Sequence, residues 1–260
     1  MDRKLKILNK KHIVVAGSKG MLGESLVQSL ENQGATVYQL DLNNKPGENK
    51  FECDITDKAQ VKQALSEIKS KTDNVTGIVN LAAINPTIDS LGNNTRLSDF
   101  NFSKDLESIS LTYSGTLNLV SELEDLLSEY SSVVLVGSDL SLISPDQRIY
   151  CNCNGSPEMH KAQCSLKPPS YSFEKFGLIG LTKYLSTYFG PKGIRVNCIC
   201  PGPVDTDFSE NFRRRLVERT PMGRLATTKD LNSSIQFLLS DMSDFVTGVA
   251  LPVDGGRSVW

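Results

Sequence analysis

A chain of 260 residues with 39% hydrophobic content can bury one substantial core, and that length fits a single α/β domain over 1–260. A formal charge of -2 leaves no basic footprint for a nucleic-acid partner, and no apolar run approaches the roughly 18 residues that span a bilayer. Six sparsely spaced cysteines read as reduced thiols, and with no export-type leader the expected compartment is the cytoplasm.

In chain order, the apolar run HIVVA predicts a strand and MLGESLVQSLENQG an amphipathic helix after it. ATVYQLD predicts the second strand, and a short third ends before Asp54 in FECDIT. A helix over 58–70 and the strand VTGIVN follow. A helical region over about 111–130 precedes the strand SVVLVGS, and beyond a loop-rich stretch a helix runs over about 171–189. IRVNCIC, a proline-glycine turn, two helical patterns and a strand near VALPVD complete the chain. This alternation predicts a Rossmann-type, doubly wound parallel sheet with helices on both faces. The stretch over about 149–169 has no period and is rich in Gly, Pro, Asn and Ser, so it reads as an irregular insertion. Its Cys151, Cys153, His160 and Cys164 are suitable zinc ligands, but their spacing fits no common zinc motif, and no metal is expected.

After the first strand the sequence reads AGSKGMLGESL, with Gly17, Gly20 and Gly23 three residues apart. A sharp turn from strand to helix needs residues without a Cβ, and the helix start then offers N–H groups and a positive dipole end to a pyrophosphate. Asp41 closes the second strand, where a carboxylate can accept from both ribose hydroxyls of NAD and repel the extra phosphate of NADP. NAD is therefore expected over NADP. Lys19, inside the loop, is either a partner for that phosphate or a solvated lysine. Asp54 either binds the adenine amino group or caps the next helix.

Tyr171 and Lys175, four residues apart on a helix, share one face. An ammonium about 4 Å from a phenol contributes about 4 kcal/mol at an effective dielectric near 20, about three pKa units, which would poise the phenol near neutrality as an acid-base group.

These pieces occur in an order that resembles the short-chain dehydrogenase/reductase family. They are the glycine loop, Asp54, NLAA at 80–83, VGS ending at Ser138, Tyr171 with Lys175, and RVNCICPGPV at 195–204. The resemblance implies a Rossmann domain in which Ser138 hydrogen-bonds the substrate oxygen and Tyr171 exchanges a proton with it. Lys175 would bind the nicotinamide ribose and lower the tyrosine pKa. Asn80 would stabilise the sheet or line the cofactor site with Ala82, while Pro201, Val204 and Thr206 would pass beside the nicotinamide and phosphates. It also implies a homodimer or homotetramer. The loop glycines are spaced as in larger sugar-nucleotide relatives, yet the ending VDGG belongs to the single-domain branch. An asparagine normally found in the helix before the serine strand is replaced, with Ser110 in the nearest alignment.

SPDQRIY, PPSYSFEKFGLIGLTKYLSTYFG and VDGGRSVW together look like a bacterial subgroup of surface-sugar and flagellin-modification oxidoreductases. Its likeness implies oxidation of a secondary alcohol to a ketone, or the reverse, on a sugar phosphate or sugar nucleotide in surface-glycan precursor biosynthesis. The alternatives are a carbonyl reductase on a lipid-like or acyl-carrier-bound substrate and a non-catalytic, cofactor-binding regulatory protein.

Overall fold

The computed structural model describes residues 6–85, 96–150 and 165–260. Seven parallel strands form one sheet in the order β3-β2-β1-β4-β5-β6-β7. They are β1 His12–Ala16, β2 Thr36–Asp41, β3 Lys50–Glu52, β4 Val75–Asn80, β5 Leu127–Val136, β6 Arg195–Pro201 and β7 Ala250–Val253. The chain winds outward from β1 through β2 to β3, then returns to β4 on the other side of β1. That reversal opens a crevice at the carboxyl ends of β1 and β4, where ligands bind in open α/β sheets.

The helices fall on both faces. α1 (Met21–Asn32) and α7 (Thr228–Leu239) bury Leu26, Leu30, Ile235 and Leu238 against Ile13, Val15 and Val134. α2 (Lys58–Lys69), α4 (Thr116–Leu123) and α5 (Pro169–Phe189) bury Val61, Leu119, Leu178 and Phe189 against Val14, Ile78 and Val196. α3 (Phe102–Ser110) packs on α5, and α6 (Glu210–Val217) packs on a turn at Gln147–Tyr150 through Ile149, Phe212 and Leu216. β6 is buried along its whole length, as expected for a strand covered on both faces.

Two boundaries depart from the sequence reading. The helical region expected from about 111 starts at Phe102, and α3 runs through one π-helical turn, Leu111–Gly115, into α4. β5 begins at Leu127, well before the apolar SVVLV, and its early pairing with β4 is irregular between Val75 and Gly77. α5 starts at Pro169, whose fixed φ and missing N–H suit a first helical turn. The cysteines and histidine of 151–164 lie outside the described residues, while Cys53, Cys198 and Cys200 are buried free thiols. No helix among the described residues is long and apolar enough to cross a membrane.

Candidate active site

The glycine loop lies over the switch point. Gly17 has φ +76°, and a Cβ there would sit 2.7 Å from the Ala82 nitrogen, so only glycine lets the loop touch the segment leaving β4. A Cβ on Gly23 would overlap the Gly17 carbonyl oxygen, so this glycine lets α1 pack against the turn. Gly20 precedes the first residue of α1 and needs no such exception. Asp41 sits at the end of β2, its carboxylate accepting from the backbone N–H of Lys19 and of Asn43, both at 2.9 Å. The Lys19 ammonium pairs with Glu24 at 2.7 Å. Asp54 accepts from the Thr56 N–H and hydroxyl, and the N-cap of α2 is Asp57 rather than Asp54. The capping alternative for Asp54 is thus corrected by one helical-start residue that the sequence reading passed over.

Asn80 ends β4 and is tied at both sides of its amide, donating to Thr116 Oγ1 at 2.9 Å and accepting from Ala82 N at 3.0 Å. It braces the strand end and the Ala82 backbone. Pro201 ends β6 opposite Val253, Val204 bridges Ala226, and the Thr206 carbonyl accepts from Arg213. A separate cleft of about 580 Å³ touches Gly202 and Pro203 but none of Ser138, Tyr171 or Lys175.

Ser138, just past β5, and Tyr171 and Lys175, on α5, come together as the spacing suggests. The Ser138 hydroxyl is close enough to the Tyr171 phenol to favour its ionised form. It donates to Asp139 Oδ1 at 2.8 Å and accepts from the Leu140 N–H at 3.1 Å. The Lys175 ammonium lies 5.6 Å from the Tyr171 ring centroid and donates to the Val136 carbonyl at 3.3 Å. Burial pushes the phenol up to about 12, against the nearby Ser138 hydroxyl, which lowers it. The expected poising near neutrality is therefore not present in the chain by itself, because desolvation dominates and the Asp139 and Glu174 carboxylates act in the same sense. Burial likewise lowers Lys175 from its ordinary range.

A family model described as Enoyl-(Acyl carrier protein) reductase matches residues 15–156 and 159–258. The 3-oxoacyl-[acyl-carrier-protein] reductase FabG of Chlamydia trachomatis is 31% identical over 97% of this chain and 98% of its own length. The chain belongs to the short-chain dehydrogenase/reductase family. The L-rhamnose 1-dehydrogenase (NAD(P)(+)) of Azotobacter vinelandii is 41% identical over 95 residues, which are 34% of this chain and 37% of that protein. A short chain dehydrogenase from Leptospira borgpetersenii, solved with bound NAD+, superposes with a TM-score of 0.82 at 26% identity, covering 99% of this chain and 96% of that one. This is a family of oxidoreductases.

Five side chains of this short-chain dehydrogenase/reductase, Thr112, Asp139, Lys167, Glu174 and Arg257, are not singled out by sequence. Ser110 is exposed, and the buried hydroxyl nearest that position is Thr112, which donates to Glu174 Oε2 at 3.1 Å. Glu174, between Tyr171 and Lys175, is itself buried. Lys167 places its ammonium 4.0 Å from the Tyr171 ring centroid and donates to Asn85 Oδ1 at 3.0 Å. Burial, then the nearby Lys175 charge, lower Lys167 to about 8. Arg257, from VDGGR, meets Asp139 at 2.6 Å, both about 5% exposed. A buried lysine four residues before a helix tyrosine was the one legible signal, since it repeats the spacing of Lys175 on the other side. The three consecutive arginines of α6 are engaged within the fold: Arg213 with Asp205, Arg214 with Glu218, and Arg215 with the Ile149 carbonyl.

Proposed function

We propose that the protein is a NAD-dependent oxidoreductase that interconverts a secondary alcohol and a ketone on a hydroxylated, carbohydrate-type substrate. A sugar phosphate or sugar nucleotide of surface-glycan precursor biosynthesis fits best. The observation that carries the substrate class is the polar surround of Tyr171, with the Lys167 ammonium over its ring, Asn85 behind that ammonium, and the buried Asp139 beside Ser138. Such groups match sugar hydroxyls or a phosphate better than an acyl chain. Gln147, just before the 149–169 insertion, accepts from the N–H of Lys167, near its far end, at 2.9 Å, which supports a place for the insertion at the substrate boundary.

The residues fit a nicotinamide dinucleotide. The Asp41 carboxylate would hold the adenine ribose, the bare backbone at Gly17 and the open start of α1 the pyrophosphate, and the buried Lys175 ammonium the nicotinamide ribose. A nicotinamide held there would supply the hydride chemistry. Tyr171 holds its proton at neutral pH and delivers it to a carbonyl oxygen, or receives one from the alcohol when its phenolate is stabilised by Lys175. Ser138 holds the same oxygen. Asp54, Asn80, Ala82, Pro201, Val204 and Thr206 complete the cofactor contacts.

Because Lys19 is paired with Glu24, Asp41 governs the ribose 2′ position. NADH should bind more tightly than NADPH, and Asp41→Ala should narrow that gap by about tenfold, the scale of one relieved charge contact. Parallel titrations of both cofactors read this directly; a wild type that prefers NADPH would reverse the assignment.

A dimer or tetramer is supported by Phe173, Phe176, Tyr184 and Tyr188, which lie exposed along one side of α5, and by exposed Phe102 and Leu106 on the adjoining α3. Sedimentation at micromolar concentration should give an oligomer, and a monomer would contradict it.

A second reading, reduction of an acyl-carrier-bound carbonyl, is favoured by the full-length likeness to 3-oxoacyl-[acyl-carrier-protein] reductases. A purely regulatory role has against it the assembled Ser138, Tyr171 and Lys175. The deciding experiment is a panel of sugar phosphates and nucleotide sugars with NAD+, beside acetoacetyl thioesters with NADH, followed through nicotinamide absorbance. Turnover confined to the sugars is expected; turnover confined to the thioesters would establish the second reading.

A further inference from the structure

The turn that leaves β2 carries Asn44, a polar residue only 4% exposed. Its amide nitrogen donates to the Ser18 hydroxyl at 3.2 Å, to the Gln39 carbonyl of β2 at 2.9 Å and to the Phe51 carbonyl of β3 at 3.2 Å. One side chain thus ties the glycine loop to the two strands at this edge of the sheet. The two carbonyls fix which way the amide faces, because turning it over would set Oδ1 against both of them. That orientation leaves Oδ1 buried and, among the described residues, without a hydrogen-bond partner. A buried acceptor without a donor costs stability, and the bonds made by the nitrogen of the same amide offset it.

Ser18 is 1% exposed, and its hydroxyl accepts from Asn44 and donates to the Leu40 carbonyl at 3.4 Å. It anchors the loop from within and is not presented at the surface. The residue after it, Lys19, donates its N–H to Asp41 Oδ2. The residue before Asn44, Asn43, donates its N–H to Asp41 Oδ1, and both bonds are 2.9 Å long. The Asp41 carboxylate is therefore clamped between the glycine loop and the β2–β3 turn. The Asn44–Ser18 bond joins those two segments one residue away from each of its contacts.

We propose that Asn44 is a positioning residue for Asp41: its bond to Ser18 keeps the glycine loop and the β2–β3 turn at the spacing that holds the carboxylate at the ribose 2′ position, and so sets the preference for NAD over NADP. This rests on the reading above that Asp41 governs that position. With the tie broken the carboxylate can move aside, which weakens its bonds to the ribose hydroxyls and relieves its repulsion of a 2′-phosphate. Loss of the tie therefore acts in opposite senses on the two cofactors, whereas a purely structural defect weakens both alike.

The test is parallel fluorescence titration with NADH and NADPH, beside thermal midpoints of the cofactor-free protein. Wild type, Ser18→Ala, Asn44→Leu, the double variant and Asp41→Ala are compared. Ser18→Ala cuts the tie and leaves the Asn44 bonds to both strands, so the fold is kept. It should weaken NADH by about two- to tenfold, the scale of one hydrogen bond, and leave NADPH unchanged or tighter. Asn44→Leu should narrow the gap between the cofactors at least as much, with a lower thermal midpoint because the strand carbonyls also lose their donor. The double variant should have the gap of Asn44→Leu alone, since both changes remove the same bond. A Ser18→Ala protein with the wild-type gap, or with both cofactors weakened alike, would overturn the role of Asn44 while a narrowed gap in Asp41→Ala left the reading of Asp41 standing. An Asp41→Ala protein with the wild-type gap would overturn both.

Discussion

Tyr171→Phe is expected to bind NADH as wild type does and to lose turnover by a factor of about 10² to 10⁴, the range that a positioned general acid-base group supplies. The substitution keeps the ring beside the Lys167 and Lys175 ammonium groups and removes only the hydroxyl. The fold should therefore be preserved, and the defect should appear in kcat and not in cofactor affinity. The phenol is held protonated up to about 12, so at neutral pH it is a proton donor in place and needs stabilisation as phenolate only for alcohol oxidation. Steady-state kinetics with the substrate identified by the panel check this. Turnover near that of wild type would remove Tyr171 from the proton step.

Arg257→Ala should cost about 3–5 kcal/mol of stability, the penalty for leaving a buried charge without its partner. Asp139 and Arg257 meet at 2.6 Å with about 5% exposure each, so solvent cannot replace the lost cation. Burial already raises the Asp139 carboxyl, with Arg257 acting in the opposite sense. A raised folded-state value means stability is lost as pH climbs through it. The defect of Arg257→Ala should accordingly be smaller near about pH 4 than at neutral pH, because a protonated Asp139 needs no cation. Replacing both members, Asp139→Leu with Arg257→Met, should recover most of the loss. Urea midpoints at the two pH values measure it; a single-variant loss of under about 1 kcal/mol, the size of an exposed pair, would show that the ion pair is not buried in solution.

The fold was legible where the hydrophobic period was clean. β1 and β4 match HIVVA and VTGIVN to the residue, and α2 ends one residue from its expected close. β5 was shortened in the reading because its start, LSEYSS, is polar and pairs irregularly, so no apolar run marks it. The start of α3 was missed for a related reason: FSKDLESIS buries no large hydrophobic side chain, and its place is set by packing on α5. The proposed catalytic trio is visible because its spacing is local or tied to strand ends. What could not be read was desolvation, which moved Tyr171 away from neutrality, and partnership between distant segments, which joined Asp139 to Arg257 and Thr112 to Glu174. Lys19 shows a nearer limit, since its competing partner was the Glu24 of the very next helix turn.

The most direct measurement is deuterium transfer from NADH labelled at both C4 positions, in reactions with the keto forms of the sugar phosphates and sugar nucleotides of the panel. Hydride delivery at the crevice between β1 and β4, with Tyr171 supplying the proton from water, should give a product carrying one deuterium on the new carbinol carbon and none on its oxygen after exchange. A product formed without the label, or labelled cofactor left unconsumed by every sugar while a 3-oxoacyl thioester is reduced, would contradict it.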